Sequence, residues 1–100
     1  MIRHRYYIGT LTRDGASVSD EQRAKVKAQL CEVYGGYTVY ATSGAWSDHG
    51  TVKVEPSEVY EELADRRPVD PANLAALLAT LASQTCVLWT EETVNGGFAP

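Results

Sequence analysis

Six segments in the order strand, helix, strand, strand, helix, strand predict an α+β two-layer sandwich, with a four-stranded antiparallel sheet and two helices on one of its faces. Three observations carry that reading. Both helices are marked by their caps, Ser19 with Gln22 and Asp70 with Pro71. Runs rich in β-branched and aromatic residues flank each helix. A chain of one hundred residues with 44% apolar content builds one modest core and has no room for a second domain.

The first strand covers Arg3 to Leu11, where Tyr6, Tyr7, Ile8 and Thr10 are β-formers, and the turn chemistry of Arg13 to Ser17 ends it. Ser19 and Gln22 then form a capping box, in which the serine oxygen accepts the N–H of Gln22 and the glutamine side chain reaches back. Asp20 and Glu21 complement the positive end of the helix dipole, and Val26, Leu30 and Val33 recur along one face. Gly35 and Gly36 stop the helix, which spans Asp20 to Tyr34.

Tyr37 to Thr42 is the second strand. Gly50 to Glu55 is the third, alternating Val52 and Val54 with Thr51 and Lys53. Pro56 cannot donate to a ladder, so the third strand either ends there or continues past it, as an edge or bulged strand, toward Leu63. A helical turn over Ser57 to Ala64 is the alternative. Proline at the first helical position after Asp70 opens the second helix, Pro71 to Ser83, with a stripe of Leu74, Leu77, Leu78 and Leu81. Thr85 to Val94 is the fourth strand, and residues 95–100 form a loose tail. This order is the ferredoxin-like pattern within a single domain over 1–100.

Nine Lys and Arg against thirteen Asp and Glu give a net charge of −4. That balance argues against nucleic acid as a partner, since phosphate neutralisation needs a cationic surface. No apolar run approaches the roughly 18 to 20 residues that span a bilayer, so no membrane partner is expected. The N-terminal MIRHRYYIG lacks the features of a signal peptide, and a cytoplasmic protein is the expectation. Cys31 and Cys86 have no CxxC partner and read as small reduced core residues. The chain contains no Walker loop, HExxH or GxGxxG, and no cofactor is expected. Glu55, Glu58, Glu61 and Glu62 read as a water-facing acidic run without metal-ligand spacing.

The face of the sheet away from the helices should turn polar if the monomer is complete. Instead, Cys86 and Leu88 alternate with Val87 and Trp89, Tyr6 and Ile8 oppose Tyr7 and Leu11, and Tyr37 and Val39 oppose Tyr40. Tyr7, Tyr40, Val87 and Trp89 are therefore the expected lining of an interface between subunits, each contributing on the order of 2 kcal/mol before association costs. The plainer alternative is that the Ser57 to Pro68 segment or the Phe98 tail folds over that face.

Between the second and third strands, Thr42 to His49 reads as an eight-residue loop where a tight hairpin needs about two to five. It offers an aromatic platform in Trp46, hydroxyls in Ser43 and its neighbours, and a titratable ring in His49. With Arg3 and Arg5, which suit an anion, Trp46, His49 and Ser43 form the candidate ligand-binding set. The same residues also have structural uses, Trp46 as a hairpin anchor and Asp48 and His49 as turn formers. A triad of Ser43, His49 and Asp48 is disfavoured, because adjacent side chains on a strand end point apart and no nucleophile elbow is present.

The stretch GGYTVYATSGAWSDHGTVKVEPSEV, with SQTCVLW after the second helix, resembles a family of small bacterial and phage proteins sharing G-x-T-V, G-x-W, E-P-S and Q-x-x-V-L elements. That family is similar in topology to PII-like and CutA-like proteins. The resemblance implies a ferredoxin-like homotrimer whose sheets face one another, with small ligands in clefts between subunits. The basic phosphate-gripping loop of PII proteins and evident copper ligands are both missing here. The expected function is a non-enzymatic homo-oligomer, a trimer by this resemblance, binding a small molecule or a host protein, with a phage-encoded signal-sequestering role as one form. A small oligomeric enzyme using His49 or His4 as general acid or base is the alternative, and a structural interaction module is a third.

Overall fold

A computed structural model describes every residue from Met1 to Pro100. Its elements follow the expected order: β1 (Ile2–Gly9), α1 (Asp20–Tyr34), β2 (Thr38–Asp48), β3 (Thr51–Ala64), α2 (Pro71–Leu81) and β4 (Leu88–Thr93). The sheet order is β2-β3-β1-β4, with every neighbouring pair antiparallel. The fold is ferredoxin-like.

Helix α1 matches its expected limits because its signals are local. Both halves of the capping box form, and Gly35 ends the helix at φ 86, a left-handed conformation that glycine adopts without a Cβ penalty. Helix α2 begins at the Asp70 cap, whose side chain accepts from the N–H of Ala72. Its buried seam is Pro71, Leu74, Ala75, Leu78 and Ala79, whereas Leu77 is 40% exposed. Ala75 and Ala79 fill two of the five seam positions, where a leucine stripe is expected. The core joins both helices to Tyr6, Ile8, Tyr60 and Val87.

Three expectations are corrected. First, Thr42 to His49 is not a loop. Residues pair continuously from Thr38↔Glu61 to Asp48↔Thr51, and a two-residue turn of His49 (φ 49) and Gly50 (φ 84) closes the ribbon. Two positive φ angles match the twist of a tight hairpin turn. Strand β3 runs straight through Pro56, without a bulge, to Ala64. The Pro56 carbonyl accepts from Thr10, just past the end of β1, so its missing N–H points where the ladder has already stopped. The Ser57 to Ala64 segment is thus a central strand, neither helical nor folded across the open face.

Second, Val87 is buried among the core residues and Trp89 packs against that core opposite Tyr6. Both lie on the helix-covered face. The open face carries Tyr7, Tyr40 and Leu88 in one cross-strand row through Val59, with Tyr40 41% and Leu88 61% exposed. Third, Cys31 and Cys86 are free and exposed. Cys31 falls one position past Leu30, outside the seam, and Cys86 lies in the segment before β4.

Candidate functional site

Cross-strand register brings three ionisable residues into one row on the helix-covered face. His4 of β1 lies opposite Glu62 of β3 on one side and Glu91 of β4 on the other. His4 and Glu62 are 1% and 3% exposed, the only charged or imidazole side chains in the core. Such groups are rarely buried unless paired.

The Glu91 side of the row is fully paired. His4 Nε2 lies 2.8 Å from Glu91 Oε2, and Arg67, in the segment between β3 and α2, grips both carboxylate oxygens, with Nη2 to Oε1 at 2.7 Å. Hydrogen bonds from Arg67 and then His4 pull the Glu91 carboxyl down to about 2. On the other ring nitrogen, His4 Nδ1 lies 2.7 Å from the hydroxyl of Tyr34, at the last turn of α1, and that hydroxyl is 2.6 Å from the Tyr6 hydroxyl. Burial raises both phenols well above their ordinary value, so they stay protonated.

The Glu62 side has no partner. Its Oε2 is buried without a hydrogen bond, and burial alone pushes the carboxyl up to about 8. Glu62 lines a cleft of about 290 Å³ between the C-terminal end of α1, from Tyr34 through Gly36 to Thr38, and β3, with Phe98 of the tail at its margin. The last turn of α1 carries no basic residue, and the end of the helix, Tyr34 to Gly36, lines the cleft. An acidic side chain, a helix C-terminus and aromatic walls from Tyr37 and Phe98 give a small pocket suited to a cation with a flat apolar body.

The residues expected to bind ligand are not brought together. Arg3 and Arg5 lie on the opposite face of β1 from His4, paired to Glu92 and to Glu61 and Glu92. Trp46 sits on the protruding ribbon, 51% exposed, with Lys53 5.8 Å from its ring centroid. His49 is at the ribbon tip with its side chain 98% exposed, 3.5 Å from Asp48. Ser43 pairs with Pro56 on the same ribbon. Arg5 is level with Glu61 and Trp46 with Lys53, eight residues apart on β3 or about 26 Å at ~3.3 Å per residue. No group of three or more His, Cys, Asp or Glu side chains converges as for a metal ion.

Glu62, Tyr34 and Glu91 were missed for a physical reason. An acidic run looks solvated until strand alternation separates it. Glu58 and Glu62 then fall on the helix face and Glu55 and Glu61 on the other. In the structure Glu55 accepts from the Leu11 N–H, Glu58 binds Arg23 of α1 and Glu61 binds Arg5, leaving Glu62 as the unpaired member.

No family model matches the chain, and no curated protein matches it by sequence. Among the solved structures that share its fold are two of low sequence identity. One is a phage SAM lyase in complex with S-methyl-5'-thioadenosine, with 16% identity, TM-score 0.67, and coverage of 91% of this chain and 79% of that one. The other is the periplasmic divalent cation tolerance protein CutA from Archaeoglobus fulgidus, with 13% identity, TM-score 0.63, and coverage of 98% and 88%. This chain is similar to CutA in architecture, as its strand pattern implied. At these identities the likeness is one of fold. No helix is long and apolar enough to cross a membrane.

Proposed function

We propose that this protein is a homo-oligomer that takes a small adenosyl sulfonium, of the type represented by SAM, into the cleft beside Glu62. The observation that carries the reading is the unpartnered buried oxygen of Glu62 in a cleft that also receives the C-terminal end of α1. A buried carboxyl without a partner costs stability, and a ligand cation is the partner that would offset that cost. The named ligand class comes from the phage SAM lyase that shares the fold, whose bound S-methyl-5'-thioadenosine has a flat base, and Tyr37 and Phe98 are the aromatic residues lining this cleft with Tyr34. Oligomerisation is supported by the exposed row of Tyr40, Leu88 and their neighbours on the open face.

Calorimetric titration with SAM and with the uncharged S-methyl-5'-thioadenosine tests the reading. SAM is expected to bind more tightly, and Glu62→Gln to remove that preference while leaving the fold intact. Equal affinity of the wild type for both, or binding of neither, would refute it.

A second reading is turnover. A carboxyl that takes up and releases its proton near neutrality is suited to general acid or base work on a bound ligand. Chromatographic detection of S-methyl-5'-thioadenosine together with homoserine lactone, the fragment left when the SAM carboxylate displaces the sulfonium, released by the wild type and not by Glu62→Gln, would establish lyase activity. Binding without release would leave the protein a sequestering one, in which Glu62 acts only as counter-charge.

A further inference from the structure

We infer that His4 is a positioning residue for the cleft: held by Glu91 and Arg67, it takes the hydroxyl hydrogen of Tyr34 and leaves Tyr34 presenting a lone pair in the cleft it shares with Glu62, so that the cleft selects ligands bearing a positive charge. The ligand-selection half of this inference rests on the cleft reading above. The hydrogen-bond direction rests on the contacts of the two ring nitrogens and on an uncharged His4 ring, which the first measurement below reads directly.

The direction follows from one end of the network. Glu91, gripped at both oxygens by Arg67, is an ionised carboxylate and can only accept, so His4 Nε2 must carry the hydrogen of the 2.8 Å contact. In the neutral ring Nδ1 is then an acceptor, and the 2.7 Å contact is a donation from the Tyr34 hydroxyl. With that hydrogen committed, the 2.6 Å contact between the phenols must be a donation from Tyr6 to Tyr34. Every hydrogen therefore points along the chain Tyr6, Tyr34, His4, Glu91. The Tyr34 oxygen accepts one hydrogen from Tyr6 and keeps a second lone pair. Tyr34 and Glu62 line the same cleft.

Packing alone does not call for this arrangement. An apolar trio at His4, Tyr34 and Glu91 would fill the same space without desolvating an imidazole, and a buried polar network is retained at a cost. A fixed hydrogen-bond direction is what the network adds.

Two measurements test it. Long-range ¹H–¹⁵N correlation on the wild type without ligand reads the ring, and the expected result is a neutral His4 with hydrogen on Nε2 and an accepting Nδ1. Hydrogen on Nδ1, or an averaged ring, would overturn the inference whether or not any ligand binds. The second measurement is affinity for SAM and for S-methyl-5'-thioadenosine. His4→Gln keeps a donor toward Glu91 at the Nε2 position and has no acceptor at the Nδ1 position, and Tyr34→Phe removes the lone pair. Each is expected to weaken SAM about tenfold, the scale of a hydrogen bond to a charged group, and to change the neutral nucleoside by less than about twofold. Equal loss for both probes would mean a structural role only and would overturn the selection half. If His4→Gln fails to fold, Tyr34→Phe decides that arm. If the wild type binds neither probe, the cleft reading fails, and selection fails with it, while the ring measurement still decides the direction.

Discussion

Glu62→Gln should replace a stability that falls with pH by one that does not. The carboxyl is 3% exposed with one oxygen unpaired, and burial raises it from an ordinary value of 4.5 to about 8. A group that holds its proton more tightly in the folded state contributes stability that is complete below about pH 4.5. That contribution is lost progressively as pH rises to about 8. Each pH unit in the window is worth about 1.4 kcal/mol, so the ceiling is about 5 kcal/mol. A small domain has roughly 5–15 kcal/mol in all, so the loss should be plain in urea unfolding followed by tryptophan fluorescence at pH 5 through 9, at one fixed protein concentration. Glutamine keeps the shape and has no proton to lose. The difference in slope between wild type and Glu62→Gln therefore isolates this group from all others that titrate in the window. Parallel slopes would refute the reasoning, because they would mean that water or a neighbour already satisfies the carboxylate.

The acid limb should respond to Arg67. Glu91 sits well below the ordinary carboxylate range, so its contribution is present above that range and is lost as pH falls toward 2. Arg67→Ala removes the largest cause and should move acid unfolding, followed by circular dichroism, to higher pH; an unchanged midpoint contradicts the pairing. Leu88→Asp, at a side chain 61% exposed on the open face, should leave helix content unchanged and shift sedimentation from an assembly to a single chain. A wild type that sediments as a single chain at tens of micromolar would refute the covered face. Gly35→Ala places a Cβ at φ 86 with no atom within 4 Å. Its cost is therefore backbone strain alone, about 1 kcal/mol in urea unfolding, and a neutral result would mean that the α1 cap is not held left-handed.

The fold was legible where its signals are local. The capping box at Ser19, the αL stop at Gly35 and the Asp70–Pro71 start each act within one turn of helix, and they placed α1 and the start of α2 to the residue. Long-range pairing was not legible. Thr42 to His49 is polar and glycine-containing, and only the pairing with Thr51 to Pro56 makes it a strand. Trp89 shows the same limit. Alternation in β4 separates Val87 and Trp89 from Leu88 correctly, but which set faces the helices is decided by register with Tyr6, a contact more than eighty residues away in sequence. The site was hidden for a related reason. His4 between two arginines suggested a basic surface, yet a strand turns neighbours to opposite faces, so the arginines meet Glu61 and Glu92 while His4 enters the core.

The row Glu62–His4–Glu91 holds two identical side chains in opposite states, and the sheet order explains why. Glu91 is on the edge strand β4, within reach of Arg67 from outside the sheet. Glu62 is on the interior strand β3, in a cleft it shares with Tyr34, Tyr37 and the glycines that end α1, and no side chain there hydrogen-bonds its buried oxygen. Burial disfavours a carboxylate there, and no partner within the chain relieves it. A folded monomer could remove the cost with any apolar residue of similar size at position 62, since its cross-strand neighbour His4 is satisfied by Tyr34 and Glu91 without it. What an apolar residue could not do is hold a cation. The direction of the Tyr34 hydroxyl, the exposed end of α1 and the unpaired oxygen of Glu62 all present electron-rich groups to one cleft. On the reading proposed above, a bound cation supplies the charge that completes them.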